Sequence, residues 1–233
     1  MVRFLLVIAV LAALVVGGYP WIDRHLPPGY RPFAPLSVDD PPTWVTRMKL
    51  KRIKQDPAAC MALLTQAQAA GRITFRQQRS SEGDCPLDNP VRVTRFGPVA
   101  LSASFLASCP LALSSTMFVG QAAAPEAQTL LGKRLVRIDH VGSFACRNIY
   151  HRAEGRRSEH ASADALDVAA FRFSDGSRLT IGGDYRRQND GGQYLRTLFS
   201  ASCAYYGNAL GPDYNAAHAS HFHLGMRGFG LCR

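Results

Sequence analysis

The sequence predicts an α+β fold, and three observations carry that reading. Helical and strand-like segments are interleaved without a strand-helix-strand period. The strand-like runs are short and bounded by turn residues such as Ser174-Asp175-Gly176. With 233 residues, 47% hydrophobic and 19% charged, the chain can bury one sizeable core, which excludes wholesale disorder.

The elements follow in order. Residues 4–18 are an apolar, charge-free run preceded only by Arg3 and the terminal amine, and the run reaches a marginal membrane span if it continues through Ile22. Residues 1–22 therefore read as an uncleaved signal anchor, or as a signal peptide cut near Val16-Gly17-Gly18; both imply export. As the one run of that kind, it excludes a polytopic membrane protein. Arg24, Arg31 and the basic stretch 47–54 offset Arg3, so flanking charge does not fix its orientation. Residues 23–43 read as a tether: seven of the 14 prolines fall between 20 and 42, where neither helix nor ladder is expected. The domain proper is residues 44–233.

Within it, 44–54 reads as a basic helix, and Asp56 caps a second helix that carries Pro57 at its first position and stops at Gly71. Strands are expected at 72–75, 91–95 and 99–104. Cys109-Pro110 opens an apolar helix that ends at Gly120 or runs on to Leu131. Strands at 135–141, 165–173 and 179–181, a helix at 193–205 and a last strand at 221–224 complete the order.

The six cysteines, Cys60, Cys85, Cys109, Cys146, Cys203 and Cys232, contain no C-x-x-C pair, and behind an export signal they read as disulfides. Of the 15 possible connectivities the expectation is the sequential one: Cys60 with Cys85, Cys109 with Cys146, and Cys203 with Cys232. The last would pin the C-terminus to a helix.

Four of the seven histidines fall in two segments, Ser158-Glu159-His160-Ala161-Ser162-Ala163-Asp164-Ala165-Leu166-Asp167 and Asp213-Tyr214-Asn215-Ala216-Ala217-His218-Ala219-Ser220-His221-Phe222-His223-Leu224. Neutral imidazoles with one carboxylate are the donor set of a catalytic zinc, which keeps its fourth position for water. On a strand at 165–173, Asp167 shares a face with the small residues Ala165 and Ala169; on the last strand, His221 and His223 share a face while Phe222 and Leu224 point to the core. If these strands pair, imidazoles converge on the carboxylate.

The pattern S-x-H-x-x-(G)-x-A-x-D followed by H-x-H resembles the LAS-type zinc peptidases, which include D-Ala-D-Ala carboxypeptidases and dipeptidases, murein endopeptidases and hedgehog-like domains. Gly142-Ser143-Phe144-Ala145-Cys146-Arg147, Ser158-Glu159-His160-Ala161, the 210–218 segment and His221-Phe222-His223-Leu224 more closely resemble the bacterial extensin-like C-terminal family, over about residues 55–233. The resemblance implies a small domain with a mostly antiparallel central sheet flanked by helices. It implies one zinc ion on His160, Asp167 and His223, with His221 beside the metal and Arg147 near the scissile carbonyl. The glycine usual at the sixth motif position is Ala163 here, and Ser220 stands where the dipeptidases keep a base glutamate. His221 is then the expected base, with Glu159 and Asp213 behind it, and Ser158 and His218 are secondary candidates.

What the resemblance implies is a zinc-dependent peptidase acting on peptidoglycan stem peptides, held in the inner membrane with its domain on the periplasmic side, or free in the periplasm if the signal is cut. The other expectation is a non-catalytic envelope module with a structural or vestigial zinc. The residues of G-x-S-x-G, S-x-x-K and P-loop motifs are missing, which argues against serine hydrolase, penicillin-binding and nucleotide-hydrolysing chemistry. The net charge of +10 is spread singly or in pairs such as Arg156-Arg157 and Arg186-Arg187, without a base-reading helix. That distribution fits lipid head groups or wall carboxylates and argues against nucleic acid.

Overall fold

The computed structural model describes residues 1–228 and 230–233. An apolar helix, α1 (Val2–His25), leads the chain; α2 (Trp44–Ile53) and α3 (Pro57–Ala69) precede the sheet. Three strands follow, β1 (Thr74–Gln77), β2 (Val91–Phe96) and β3 (Val99–Ala107). Helix α4 (Cys109–Phe118) continues through a π turn, Val119–Ala123, into α5 (Ala124–Leu131). Then come β4 (Leu135–Gly142), β5 (Ala165–Phe173), β6 (Arg178–Thr180), α6 (Ile181–Asp184), α7 (Asp190–Ser202), β7 (Asn208–Leu210) and β8 (Phe222–Gly225).

Local chemistry accounts for the helix starts. Thr43 Oγ1 accepts from Thr46 N at 3.2 Å, Asp56 Oδ1 from Ala59 N at 2.9 Å and Ser108 Oγ from Leu111 N at 3.3 Å, each satisfying a first-turn donor that has no partner inside the helix. The apolar helix opened by Cys109 ends at Leu131, where Gly132 takes φ 64° in a left-handed cap.

Two features differ from the sequence expectation for the N-terminal region. Helix α1 runs through Pro20 to His25, three residues past the expected boundary. Pro20 removes one N–H and crowds the carbonyl of Val16, yet the last turn is kept by the Leu26 N to Ile22 O bond at 3.0 Å and by Tyr19 Oη donating to Asp23 at 2.9 Å. The proline-rich segment is irregular, as expected, but its second half is packed. Leu36 is buried in the core, Gln121 Nε2 donates to the Val38 and Asp40 carbonyls at 2.6 and 3.0 Å, and Thr46 Oγ1 donates to Pro41 O at 2.6 Å. Prolines cannot donate to a ladder, but their neighbours' carbonyls still accept, and side chains of the domain supply the donors.

Among the described residues the sheet has eight strands in the order β1-β2-β3-β4-β5-β8-β7, with β6 pairing β5. The β3–β4 pair is parallel; the others are antiparallel. One face carries the core, where Phe171 and Phe173 meet Tyr194 of α7 with ring centroids 5.7 and 5.5 Å apart and Phe222 meets Phe199 at 5.1 Å. The other face is polar. Arg137, Arg172 and Arg178 are cross-strand partners in a row over β4, β5 and β6, an arrangement that like charge alone would destabilise. Asp139 sits among them and accepts from all three Nε atoms at 2.9 to 3.1 Å.

The disulfides correct the sequential pairing: Cys60 bonds Cys109, Cys85 bonds Cys146, and Cys203 bonds Cys232 as expected. The cause is tertiary. Cys60 on α3 and Cys109 at the start of α4 face each other where the two helices pack, and the loop carrying Cys85 reaches the loop after β4. These bonds, together with the apolar leading helix, are features of an exported chain. Among the described residues, α1 is the one helix long and apolar enough to cross a membrane.

Candidate functional site

The expected site residues are brought together on the polar face of the sheet. In the β5–β8 register Asp167 lies opposite His223, and on its other side the β4 partner is Gly142, which adds no side chain. His160 arrives from the 3-10 turn Glu159–Ser162, which ends where Ala163 takes φ 53° and ψ 33°. The position usually held by glycine is therefore left-handed here too, and the buried Ala163 bears the steric cost of it.

Three donor atoms converge. His160 Nε2 lies 3.2 Å from His223 Nδ1 and 3.2 Å from Asp167 Oδ2, and His223 Nδ1 lies 2.9 Å from Asp167 Oδ1. Ligands about 2.1 Å from a tetrahedral zinc stand about 3.4 Å apart, close to these separations. The outer ring atoms show where the hydrogens are. His160 Nδ1 is 3.0 Å from the Ser143 carbonyl, which can only accept, so this nitrogen carries a hydrogen and Nε2 is the atom turned to His223 and Asp167. His223 Nε2 lies 3.3 Å from Glu159 Oε2 and Nδ1 2.9 Å from Asp167 Oδ1, so a hydrogen on Nε2 has an acceptor in Glu159, and in that tautomer Nδ1 presents a lone pair. Carbonyl and carboxylate partners behind ligand imidazoles are the usual supports of a metal centre.

Glu159, beside His160 in sequence, reaches the outer nitrogen of His223 at the floor of the cleft. It is buried, and its oxygens accept from Arg227 N at 2.7 Å and Asn208 Nδ2 at 3.1 Å. A Cβ at Gly225 would stand 2.6 Å from Glu159 Oε1, so only glycine leaves room for the carboxylate. Burial would raise the Glu159 pKa, but the His223 and Arg227 hydrogen bonds outweigh it and hold the carboxyl below its ordinary range. Asp167 is likewise held well below the usual range, because bonds from His160 and His223 overcome its burial. Burial alone would lower His223; its bonds to Asp167 and Glu159 instead push it up to about 9. A proton on His223 already answers the two carboxylates beside it, and the three donor atoms are also close enough together that they could hold a metal ion.

The remaining candidates divide. His221 Nε2 is 3.7 Å from Asp167 Oδ1, and the His218 ring lies 5.4 Å from that of His221 and 5.8 Å from that of His223. Burial, reinforced by the charge of neighbouring histidines, pushes His218 down to about 4; burial also lowers His221. His218 Nδ1 bonds Asn215 Oδ1 at 2.7 Å, leaving Nε2 as its acceptor atom. Ser158 caps the 3-10 turn, its Oγ accepting from His160 N at 3.3 Å. Arg147 lines the cleft above the donors, which is about 440 Å³ and also bordered by Arg156, Tyr150, Tyr214 and Leu231. Asp213 is not at the site: its carboxylate is held by Tyr185 at 3.1 Å and Arg186 at 3.0 Å. Asn208 and Gly225 carry no signal in the sequence that marks them as parts of the site; Ser143 and Asn215 lie in the motif segments, but their roles as partners of His160 and His218 are not marked there.

The family model described as extensin-like protein C-terminus matches residues 58–233, and the chain belongs to that family. No curated protein and no solved structure matches it.

Proposed function

We propose that this extensin-like protein is an exported, membrane-tethered, zinc-dependent peptidase that acts on peptidoglycan peptides, related to the LAS-type enzymes. The observation that carries the reading is the convergence of His160 Nε2, His223 Nδ1 and an Asp167 oxygen at 2.9 to 3.2 Å, with acceptors for the outer ring hydrogens in Ser143 and Glu159. Zinc held there would supply a water that ionises near neutral pH and a Lewis acid for the peptide carbonyl.

The chain's own residues do the rest. His221 and His218 are neutral at pH 7, since burial lowers both, and either can accept a proton and return it to the leaving amine. Glu159 is not the base, because its oxygens are engaged by His223, Arg227 and Asn208. Arg147 borders the cleft as a two-pronged donor for a carbonyl oxygen gathering charge or for a substrate carboxylate. Helix α1 anchors the protein in the inner membrane and the disulfide-bonded domain works on the periplasmic side.

A second reading, a non-catalytic envelope module that binds wall peptides around a structural or vestigial zinc, draws on Ser220, which leaves the cleft without a base carboxylate. Incubating the zinc-loaded protein and its His223→Ala variant with muropeptides separates the two. Cleavage by the wild type alone is expected. Zinc bound without any peptide bond cut favours the second reading, and failure to bind zinc ends both.

A further inference from the structure

Helix α2 buries Val45, Thr46 and Leu50, which is the ordinary arrangement for a helix covering a core. Its outward stripe, at helical spacing, is not ordinary: Trp44, Arg47, Met48, Lys51 and Arg52, with no carboxylate among them. Trp44 is 68% exposed. Trp, Met and Arg also occur in protein interfaces, but three cations with no carboxylate among them, one of them a lysine, call for an anionic surface. The stripe suits the headgroup region of a bilayer, which takes an amphipathic ring at the acyl boundary and cations at the phosphates.

The chain places this stripe near the end of α1. Thr43, the N-cap of α2, donates to the carbonyl of Gly29, only four residues beyond the last residue of α1. Four residues span at most about 14 Å. Arg31 folds the link back further, its Nε and Nη2 donating to the carbonyls of Leu26 and Arg24 at 3.1 and 3.0 Å.

We propose that the outward stripe of α2 docks on the anionic phospholipid surface of the same bilayer that α1 enters. Trp44 and Met48 sit at the headgroup–acyl boundary, and Arg47, Lys51 and Arg52 meet lipid phosphates. The inference rests on α1 being a membrane anchor, and the test separates the two.

The chain has two tryptophans, so Trp21→Phe leaves Trp44 as the single reporter in the full-length protein. That variant is reconstituted in vesicles of mixed phosphatidylglycerol and phosphatidylcholine whose acyl chains carry bromine near the headgroup end. Trp44 emission is expected to fall below its level in unbrominated vesicles of the same composition, as for a ring seated at the headgroup–acyl boundary. Each cation near an anionic surface is worth roughly fivefold in partition. Adding Arg47→Glu, Lys51→Glu and Arg52→Glu removes at least roughly a hundredfold, because the new carboxylates also repel the anionic surface, and the emission should recover, as it should in pure phosphatidylcholine. Unquenched Trp44 in protein that floats with the vesicles overturns the docking and leaves the anchor standing. Protein that does not float overturns both. Quenching that survives in the triple variant overturns the assignment to anionic lipid.

Discussion

Replacing Glu159 by glutamine should weaken zinc binding without unfolding the domain. Every group around this carboxylate is a donor: Arg227 N–H at 2.7 Å, Asn208 Nδ2 at 3.1 Å and His223 Nε2 at 3.3 Å. A glutamine amide must set its NH2 against one of them. If it faces Arg227, a buried backbone N–H loses its acceptor, at a cost of about 1–3 kcal/mol. If it faces His223, the ring is driven to carry its hydrogen on Nδ1, the atom that faces Asp167, and the lone pair offered to the metal is lost. Both routes predict a 10- to 100-fold fall in affinity, about 1.4–2.8 kcal/mol, in line with the loss of other partners behind metal ligands. Competition against a chromophoric chelator measures it, with a circular dichroism melt as the check on folding. A folded variant whose zinc affinity stays within about twofold of wild type would refute the supporting role of Glu159.

Other outcomes follow from the same geometry. His223→Ala should abolish zinc binding and muropeptide cleavage together, measured by the same competition and by chromatographic analysis of the digest. Removing the Cys60–Cys109 bond as a double alanine variant releases a closure of 49 residues and should cost about 4 kcal/mol in a denaturant titration. Burial would raise the Asp139 pKa, but hydrogen bonds from Arg178 and Arg172 and the charges of Arg172 and Arg137 hold it below the ordinary range. Its contribution is therefore present above the unfolded carboxyl pKa of about 3.9 and lost as pH falls through the lower folded value. Asp139→Asn should cost about 1–2 kcal/mol near pH 6, a modest figure because the three arginine side chains are each 43% exposed, and the gap to wild type should close in acid. A gap that widens toward low pH would contradict this.

The parts of the fold that local chemistry decides are legible in the sequence. Asp56-Pro57 marks the start of α3, and the strand expected at 165–173 coincides with β5. Alternation also puts Asp167 and His223 on one face and Phe222 and Leu224 on the other, which leads to the donor triad. What escapes is set by packing between distant segments. Sequential cysteine pairing ignores that α3 packs on α4, and nothing at Asn208 or Gly225 announces that β7 and β8 enclose Glu159. Glu159 stands behind His221 as a candidate base, but consecutive side chains of a 3-10 turn point apart, and its carboxylate meets the outer nitrogen of His223. Asp213 adjoins the histidine cluster in sequence, while Tyr185 and Arg186, just past the short helix α6, hold it elsewhere. The expected break at Pro20 fails because one lost bond in an exposed helix does not stop the next turn from closing.

The Cys85–Cys146 bond ties down the loop that carries both the Ser143 carbonyl behind His160 and Arg147 at the cleft. Until that bond closes, the loop is held only by contacts such as Ala145 N to His160 O and Ser158 N to Arg147 O, at 3.0 Å each. A thiol-reducing cytoplasm keeps the two cysteines apart. If the domain is exported as proposed, the loop behind His160 is therefore fixed only after export, and the same bond ties the state of the proposed site to the redox state of its surroundings.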